Sequence, residues 1–141
     1  WLDPAMSKAG FCLGPNPSNN QLADIEFGYS IAKEISRLEI GQTVIVKGGT
    51  VLAVEGFEGT DDCLKRGGHL AGKDGKAVAV KVAKAHHDLR FDIPCLGRRT
   101  LETCASAGIS VVAFDAGSTL ILDREDVKLL SEQHDITVKA I

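Results

Sequence analysis

The sequence lacks any apolar run close to the roughly 20 residues that cross a bilayer, and it does not open with the charged and then apolar pattern of a secretory leader. It has no C-x-x-C pair, and its four cysteines lie far apart, which disfavours a zinc or redox site and is typical of free cytosolic thiols. No block of lysine and arginine could neutralise a phosphate backbone, so nucleic acid is not an expected partner. The expected location is the cytoplasm.

The sequence also lacks the short motifs of several large enzyme classes. No G-x-S-x-G, Walker loop, G-x-G-x-x-G or H-E-x-x-H is present. Readings as a serine hydrolase, a P-loop protein, a dinucleotide-binding protein or a zinc protease therefore have little support.

What is present is the composition of one folded domain. The 141 residues are 44% hydrophobic and 25% charged, with a net charge of -3, and they contain no internal repeat. The chain opens on Trp1 rather than methionine, and three of its four prolines lie within the first 20 residues. We interpret residues 1–17 as a linker or arm from a missing N-terminal domain, and residues 18–141 as the domain itself.

The first half of the sequence predicts a helix and a hairpin. Ser18 and Gln21 have the spacing of a capping box, and apolar residues then recur at helical intervals over residues 21–38. Two β-branched runs flank the pair Gly48-Gly49, which is a hairpin signal with a primed turn. The predicted strands are Thr43–Lys47 and Thr50–Val54.

The second half predicts alternating helices and strands. A strand over residues 77–83 is nearly all apolar, which indicates burial on both faces. Because hairpins also join some strands, we expect an α/β or α+β domain in which helices pack on a mixed sheet. The remaining predicted elements are a helix at 60–70 capped by Thr60 or Asp61, a helix at 100–107, strands at 109–115 and 119–123, a helix at 124–133 capped by Asp123, and a strand at 136–141.

Two polar segments follow predicted strands, where open sheets place their sites. Residues 55–62 contain four acids and two glycines, and they are either a polar turn before a helix or part of a ligand cleft. Lys81 and Lys84 end an otherwise apolar strand, where they either reach solvent or meet an anion.

A third segment, residues 86–94, concentrates charge. If it is extended, Asp88, Arg90 and Asp92 share one face, because side chains alternate with period two. That arrangement suits either a structural ladder of ion pairs or a site for Mg²⁺ and phosphate. His86 and His87 would point to opposite faces, so they are expected to be solvated rather than to share a metal.

Two further charged stretches begin predicted helices. Arg98 and Arg99 oppose the helix macrodipole unless an anion binds there, which hints at a phosphate or carboxylate contact. The acids around Asp123 are better explained as a cap with acids in the first turn.

Taken in order, these motifs resemble the C-terminal domain of the LpxI family, the UDP-2,3-diacylglucosamine pyrophosphatases of lipid A biosynthesis. The resemblance extends from about Ser18 to the end of the sequence. Its motifs are DIEFG, IGQTVIVKGGTVLAVEGFEGTDDCLKR, VKVAK, DLRFDIPCLG followed by RT, AGI, and FDAGSTLILDRED.

The resemblance implies a two-domain enzyme that uses Mg²⁺ to hydrolyse the substrate's pyrophosphate to 2,3-diacylglucosamine 1-phosphate and UMP. It makes Asp88 the candidate essential carboxylate, as metal ligand or water activator, with Asp92 beside it. Arg90, Lys81 and Lys84 would contact phosphate, and Glu58, Thr60 and Asp61 would line the substrate cleft.

The sequence departs from the family pattern before Asp88. It has Lys84, Ala85, His86 and His87 where the family usually has lysine, proline, glycine and glutamine. The alternative interpretation is therefore a binding or dimerisation module of the same fold without turnover. We also expect a homodimer and, because the substrate is lipid-linked, transient contact with the inner membrane surface.

Overall fold

The computed structural model of the protein describes residues 8–84 and 94–141. Within them the chain folds into helices and mostly short strands, and after an initial strand and helix, pairs of strands alternate with single helices until the last strand. The elements are β1 (Cys12–Leu13), α1 (Asn19–Arg37), β2 (Thr43–Lys47), β3 (Thr50–Val54), α2 (Thr60–Leu70), β4 (Ala77–Lys81), β5 (Cys95–Leu96), α3 (Arg98–Ala107), β6 (Ile109–Phe114), β7 (Leu120–Ile121), α4 (Arg124–His134) and β8 (Thr137–Ala140).

Six of these strands form one mixed sheet in the order β1-β8-β6-β4-β2-β3. Strands β4, β6 and β8 run parallel to one another, whereas β2 is antiparallel to both β3 and β4, and β1 is antiparallel to β8. Strands β5 and β7 form a separate parallel pair. The mixed α/β fold expected from the sequence is therefore confirmed.

Helices cover both faces of the main sheet. Helix α1 packs on one face, where Ile25, Ala32 and Ile35 lie against valines of β2 and β4. Helices α2, α3 and α4 lie over the other face, and their buried side chains include Leu64, Leu101 and Val127. Strand β4 is consequently buried on both sides, as its apolar run predicts.

The local signals of the first half are confirmed at the level of single hydrogen bonds. Ser18 Oγ accepts from the Gln21 amide at 3.1 Å, and Gln21 Oε1 accepts from the Ser18 amide at 2.9 Å, which completes the predicted capping box. The hairpin strands have the predicted bounds, and Gly48 and Gly49 both have positive φ, at 56° and 76°. Glycine adopts that conformation without steric cost, which is what the primed turn requires.

Several predicted boundaries and caps are wrong. Helix α3 begins at Arg98 rather than at residue 100, and β4 ends at Lys81 rather than at residue 83. The N-cap of α2 is Gly59, so neither Thr60 nor Asp61 caps it. Asp123 does occupy the N-cap of α4, but it lies in the left-handed region and its side chain makes no capping hydrogen bond.

The predicted arm takes part in the fold. Cys12 and Leu13 pair with Lys139 and Val138, so part of residues 1–17 forms the sheet edge beyond β8. Near this strand Thr137 Oγ1 donates a hydrogen bond of 2.6 Å to the Pro15 carbonyl. These contacts attach the segment before α1 to the last strand.

None of the four cysteines, all of which lie within the described ranges, forms a disulfide, as expected for free thiols. Cys63 and Cys104 are buried, whereas Cys12 and Cys95 are exposed. A search of the described helices finds none with the length and apolarity that spanning a bilayer requires.

Candidate functional site

Several polar side chains meet at one edge of the sheet. Strands β4 and β6 end there at Lys81 and Phe114, which are partners in the parallel register, and β2 begins there at Thr43, opposite Lys81. Strand β3 ends at the same edge, because Val54 pairs with Val44, so α2 also starts from it. Carboxyl ends of parallel strands are where open sheets usually place ligands.

A small cavity of about 20 Å³ lies at this edge, on the face covered by α2 and α3. Residues from four strands, two helices and the segment before β7 line it, so no single stretch of sequence could reveal it. The lining residues are Thr43, Thr60, Leu64, Ala79, Lys81, Cys95, Leu96, Thr100, Val112, Phe114 and Thr119.

Lys81 is half-buried in the wall of this cavity. Its neighbours Val80 and Val82 are fully buried among the residues packed under α1, so the alternation of the strand turns Lys81 toward the opposite face. Within residues 8–84 and 94–141, Lys81 Nζ makes no hydrogen bond or ion pair. Its positive charge is therefore available to a ligand.

Glu55 is buried behind this edge rather than exposed in a polar turn. Its Oε1 accepts from the Gln42 amide at 2.8 Å, and its Oε2 accepts from Thr60 Oγ1 at 3.3 Å. Thr60 Oγ1 also lies 3.4 Å from Thr43 Oγ1. Glu55 thus joins the start of β2 to the start of α2 and fixes the position of the Thr60 hydroxyl.

The two other acids predicted to line a cleft have partners in the chain. Glu58 accepts from the Gly56 amide at 3.1 Å and from Arg66 at 2.9 Å, and these bonds hold its pKa below the ordinary value. Asp61 pairs with Arg99 at 3.0 Å. A ligand that contacts either carboxylate would have to share it with an arginine.

The two arginines at the start of α3 form ion pairs with carboxylates of the chain. Arg98 pairs with Glu102 at 3.0 Å and with Asp126 at 3.8 Å, while Arg99 pairs with Asp61. The carboxylate contact that their position predicts is supplied by the chain itself, so these two residues give no independent sign of a bound phosphate.

A second, wider cleft of about 220 Å³ opens at the same end of the sheet, beside the C-terminal part of α1. Lys84 is exposed on its wall, and within the described chain its Nζ makes no hydrogen bond or ion pair. Glu55 lines this cleft and also holds Thr60 of the small cavity, so it links the two. The lining residues are Ser36, Glu39, Ile40, Gly41, Gln42, Glu55, Gly56 and Lys84.

Asp115, at the end of β6, fixes the backbone that leaves β4. Its Oδ2 accepts from the Ala83 amide at 2.7 Å and lies 3.4 Å from Lys33 Nζ, although the residue is buried. Burial raises the pKa of the Tyr29 phenol, and the neighbouring Asp115 carboxylate raises it further. Asp115 therefore sets the direction of the chain just before the segment that contains Asp88.

The predicted catalytic segment lies outside the described residues. This applies to Asp88, Arg90 and Asp92, and to the two histidines before them. The proposal that the first three share one face stays a prediction. In the described parts of the chain no group of three His, Cys, Asp or Glu side chains is placed to hold a metal ion.

Sequence reasoning selected Lys81 and Thr60, which the structure brings to one cavity, and Lys84, which it places in the neighbouring cleft. It missed Thr100 and Thr119, which the sequence analysis treated only as parts of a helix and a strand. No spacing rule singles out either threonine, because each reaches the cavity only through the folding of α3 and β7 onto the sheet.

Comparison with known proteins shows the family to which the chain belongs. A sequence profile of the LpxI C-terminal domain matches residues 8–139. The UDP-2,3-diacylglucosamine pyrophosphatase LpxI of Caulobacter vibrioides is 38% identical over 118 residues, which are 79% of this chain and 42% of the relative. The chain thus spans less than half of the length of that relative.

A solved structure, the dCMP deaminase of cyanophage S-TIM5 in its apo form, is a much more distant match. It covers 89% of this chain and 100% of its own, at 16% identity and a TM-score of 0.43. That likeness is too weak to argue from.

Proposed function

Because the chain belongs to the LpxI C-terminal domain family, we propose that it is the C-terminal half of a hydrolase that cleaves the pyrophosphate of UDP-2,3-diacylglucosamine. The products are 2,3-diacylglucosamine 1-phosphate and UMP. The observation on which the proposal rests is the family match over residues 8–139, together with the identity to a relative of that name.

The polar edge of the sheet is suited to a diphosphate. Hydrolysis of a phosphoric anhydride places negative charge on the oxygens around the attacked phosphorus and on the leaving group, and fixed positive groups lower the barrier by stabilising that charge. Lys81 and Lys84 supply two such groups, three residues apart at the end of β4, and neither is neutralised by a carboxylate of the described chain. Thr60 adds a hydroxyl that Glu55 holds in place.

The proposed reacting groups are in residues 85–93. Asp88 orients or deprotonates the attacking water, Asp92 assists it, and Arg90 binds phosphate oxygens through its planar guanidinium. Asp115 contributes by fixing Ala83, from which this segment continues.

Mg²⁺ enters the proposal through Asp88, the candidate metal ligand, with Asp92 beside it. The described carboxylates do not form a metal site, since Glu58 and Asp61 each face an arginine and no group of three ligands is found among residues 8–84 and 94–141. When bound, Mg²⁺ would neutralise phosphate charge and acidify a water.

The whole protein's activity requires the part of the relative that this chain does not span. We propose that the substrate lies between that part and the edge containing Lys81 and Lys84, at the cytoplasmic side of the inner membrane. The expected homodimer and the transient membrane contact stay predictions, to be tested by sedimentation of the full-length protein and by co-flotation with lipid vesicles.

The alternative function is a module of the same fold that binds its ligand without turnover. His86 and His87, which stand where the family usually has glycine and glutamine, favour this alternative. So do the ion pairs of Glu58 and Asp61, because both acids are engaged within the chain.

The deciding experiment measures UMP release from UDP-2,3-diacylglucosamine by the full-length protein. Asp88→Ala should lower the rate about 100-fold or more, since a group that transfers a proton or holds the nucleophile contributes at least that much. Asp74→Ala, at an exposed residue in the turn before β4, is the matched control and should leave the rate unchanged. Chelation should abolish activity, and added Mg²⁺ should restore it.

Equal rates for Asp88→Ala and the wild-type protein would exclude the proposed role of Asp88. Binding of the substrate by the wild-type protein without release of UMP would instead support the non-catalytic module.

A further inference from the structure

Thr119 has a buried hydroxyl that nothing in the described chain satisfies. The residue is only 2% exposed and lines the small cavity beside Lys81. Within residues 8–84 and 94–141 its Oγ1 makes no hydrogen bond. Buried polar groups of native proteins are nearly always hydrogen-bonded, so an unmatched hydroxyl at a cavity wall indicates that the cavity receives a polar group.

The charge of the cavity wall specifies the sign of that group. Among the lining residues that the structure describes, Lys81 is the only charged one, and the other polar ones are threonines and one cysteine. Asp61 is paired with Arg99, and the two carboxylate oxygens of Glu55 accept hydrogen bonds from Gln42 and Thr60, so neither acid forms an ion pair with Lys81. An anion would therefore be favoured.

Two helices begin at the same cavity. Thr60 is the first residue of α2 and Thr100 lies in the first turn of α3, and both line the cavity. Neither helix receives a capping hydrogen bond from a side chain. The first turn of α2 contains Asp61 and Asp62, whose carboxylates offset its dipole, so the positive helix end that adds to the charge of Lys81 is that of α3.

The size of the cavity limits what can enter. Its volume of about 20 Å³ exceeds the roughly 10–15 Å³ that one water-sized group needs, but it cannot hold a sugar or a base. The volume corresponds to a group of about the size of one oxygen atom.

We propose that this cavity is a phosphoryl-oxygen site and that Thr119 is a substrate-contacting residue, donating its hydroxyl to an oxygen whose charge Lys81 balances. The identification of the anion as part of a diphosphate rests on the proposed function. Neither Thr119 nor Thr100 was a candidate on sequence grounds.

The test is to titrate the protein with pyrophosphate, inorganic phosphate and UMP and to follow backbone amide shifts by NMR. Thr119→Val removes the hydroxyl and keeps the shape, and because that hydroxyl has no internal partner the variant should fold with unchanged or higher stability. We expect its affinity for the anion to fall about tenfold, the usual loss for a hydrogen bond to a charged group.

Thr103→Val is the matched control, since Thr103 is also buried, on α3, but does not line the cavity. It should bind as the wild-type protein does. Lys81→Met should weaken binding at least as much as Thr119→Val, and the difference between Lys81→Met and wild type should shrink as salt is added.

The three ligands separate the sources of the phosphoryl group. Tighter binding of pyrophosphate than of UMP or phosphate supports a diphosphate, and equal binding of all three supports capture of any phosphoryl group. If Thr119→Val and Thr103→Val bind every ligand alike, or if the wild-type protein binds none, the cavity holds only water and the inference is overturned. A third outcome separates the two proposals: Thr119→Val loses anion binding, and the full-length wild-type protein does not hydrolyse the substrate. That outcome would support the anion site and refute only the proposed function.

Discussion

Asp115 accepts a hydrogen bond of 2.7 Å from the backbone amide of Ala83, a residue 32 positions earlier in the chain. The bond crosses from the end of β6 to the segment that leaves β4, the strand beside it. It joins the two neighbouring parallel strands at the point where the chain turns toward the predicted catalytic segment.

Asp115→Ala should therefore destabilise the protein by about 1–3 kcal/mol, because it leaves the Ala83 amide without its acceptor and Lys33 without its partner. Urea unfolding measures the change in the free energy of unfolding. The exposed control Asp74→Ala should differ from wild type by less than about 0.5 kcal/mol. Equal midpoints for the two variants would contradict this role.

Asp24 holds the β2–β3 turn against α1. Its two carboxylate oxygens accept from the amides of Gly48 and Gly49 at 2.9 and 2.8 Å, and the residue is buried. Asp24→Ala should cost about 2 kcal/mol of unfolding free energy, whereas Glu26→Ala, on the exposed side of the same helix, should cost little. Hydrogen exchange of the two glycine amides should accelerate only in Asp24→Ala.

Gly68 allows α2 to approach α3. A methyl group placed on it would meet the carbonyl of Ala107, which is backbone and cannot turn away. Gly68→Ala should destabilise the protein by about 1–3 kcal/mol through this overlap. The control is Gly56→Ala, because nothing lies near that position, and thermal unfolding should rank the control at or above wild type.

The four thiols should divide into two classes. Burial raises the pKa of Cys63 to about 12 and also raises that of Cys104, whereas Cys12 and Cys95 are exposed. A thiol reagent at pH 8 should modify two cysteines in the native protein and all four in urea, because the thiolate is the reactive species. If the reagent rapidly modified three cysteines in the native wild-type protein but only two in Cys63→Ala, the third reactive thiol would be Cys63. That result would disprove the burial of Cys63.

The raised pKa of Cys63 also predicts a dependence of stability on pH. Above about pH 9 the unfolded chain loses the thiol proton, whereas the folded protein keeps it. The contribution of Cys63 to the free energy of unfolding is therefore fully present below about pH 9 and declines as the pH rises toward 12. The alkaline decline in unfolding free energy should be shallower in Cys63→Ala than in wild type.

The features that could be predicted from the sequence are those whose causes are local. The β2–β3 hairpin is read from Gly48-Gly49 and its β-branched flanks, and α1 from the reciprocal bonds of Ser18 and Gln21. Strands β1, β5 and β7 have two residues each, so their existence depends on pairing with distant partners rather than on any pattern of their own. The cap of α2 was predicted one or two residues too late, because its N-cap is Gly59, whereas Asp123 occupies the N-cap of α4 but does not turn its side chain to the helix.

The candidate site divides in the same way. A lysine within an otherwise apolar strand can be recognised from the sequence alone, and Lys81 was therefore predicted as a site residue. Thr119 is an ordinary residue in its own segment, and it gains significance only because folding places its hydroxyl in a cavity without a partner.

The position of β8 between β1 and β6 has a consequence for the order of assembly. Among the strands that the structure describes, β1 pairs only with β8, which is the last of them in chain order. Strand β1 therefore has no strand partner until the residues of β8 have been synthesised, and a chaperone that binds extended segments could bind β1 during that interval.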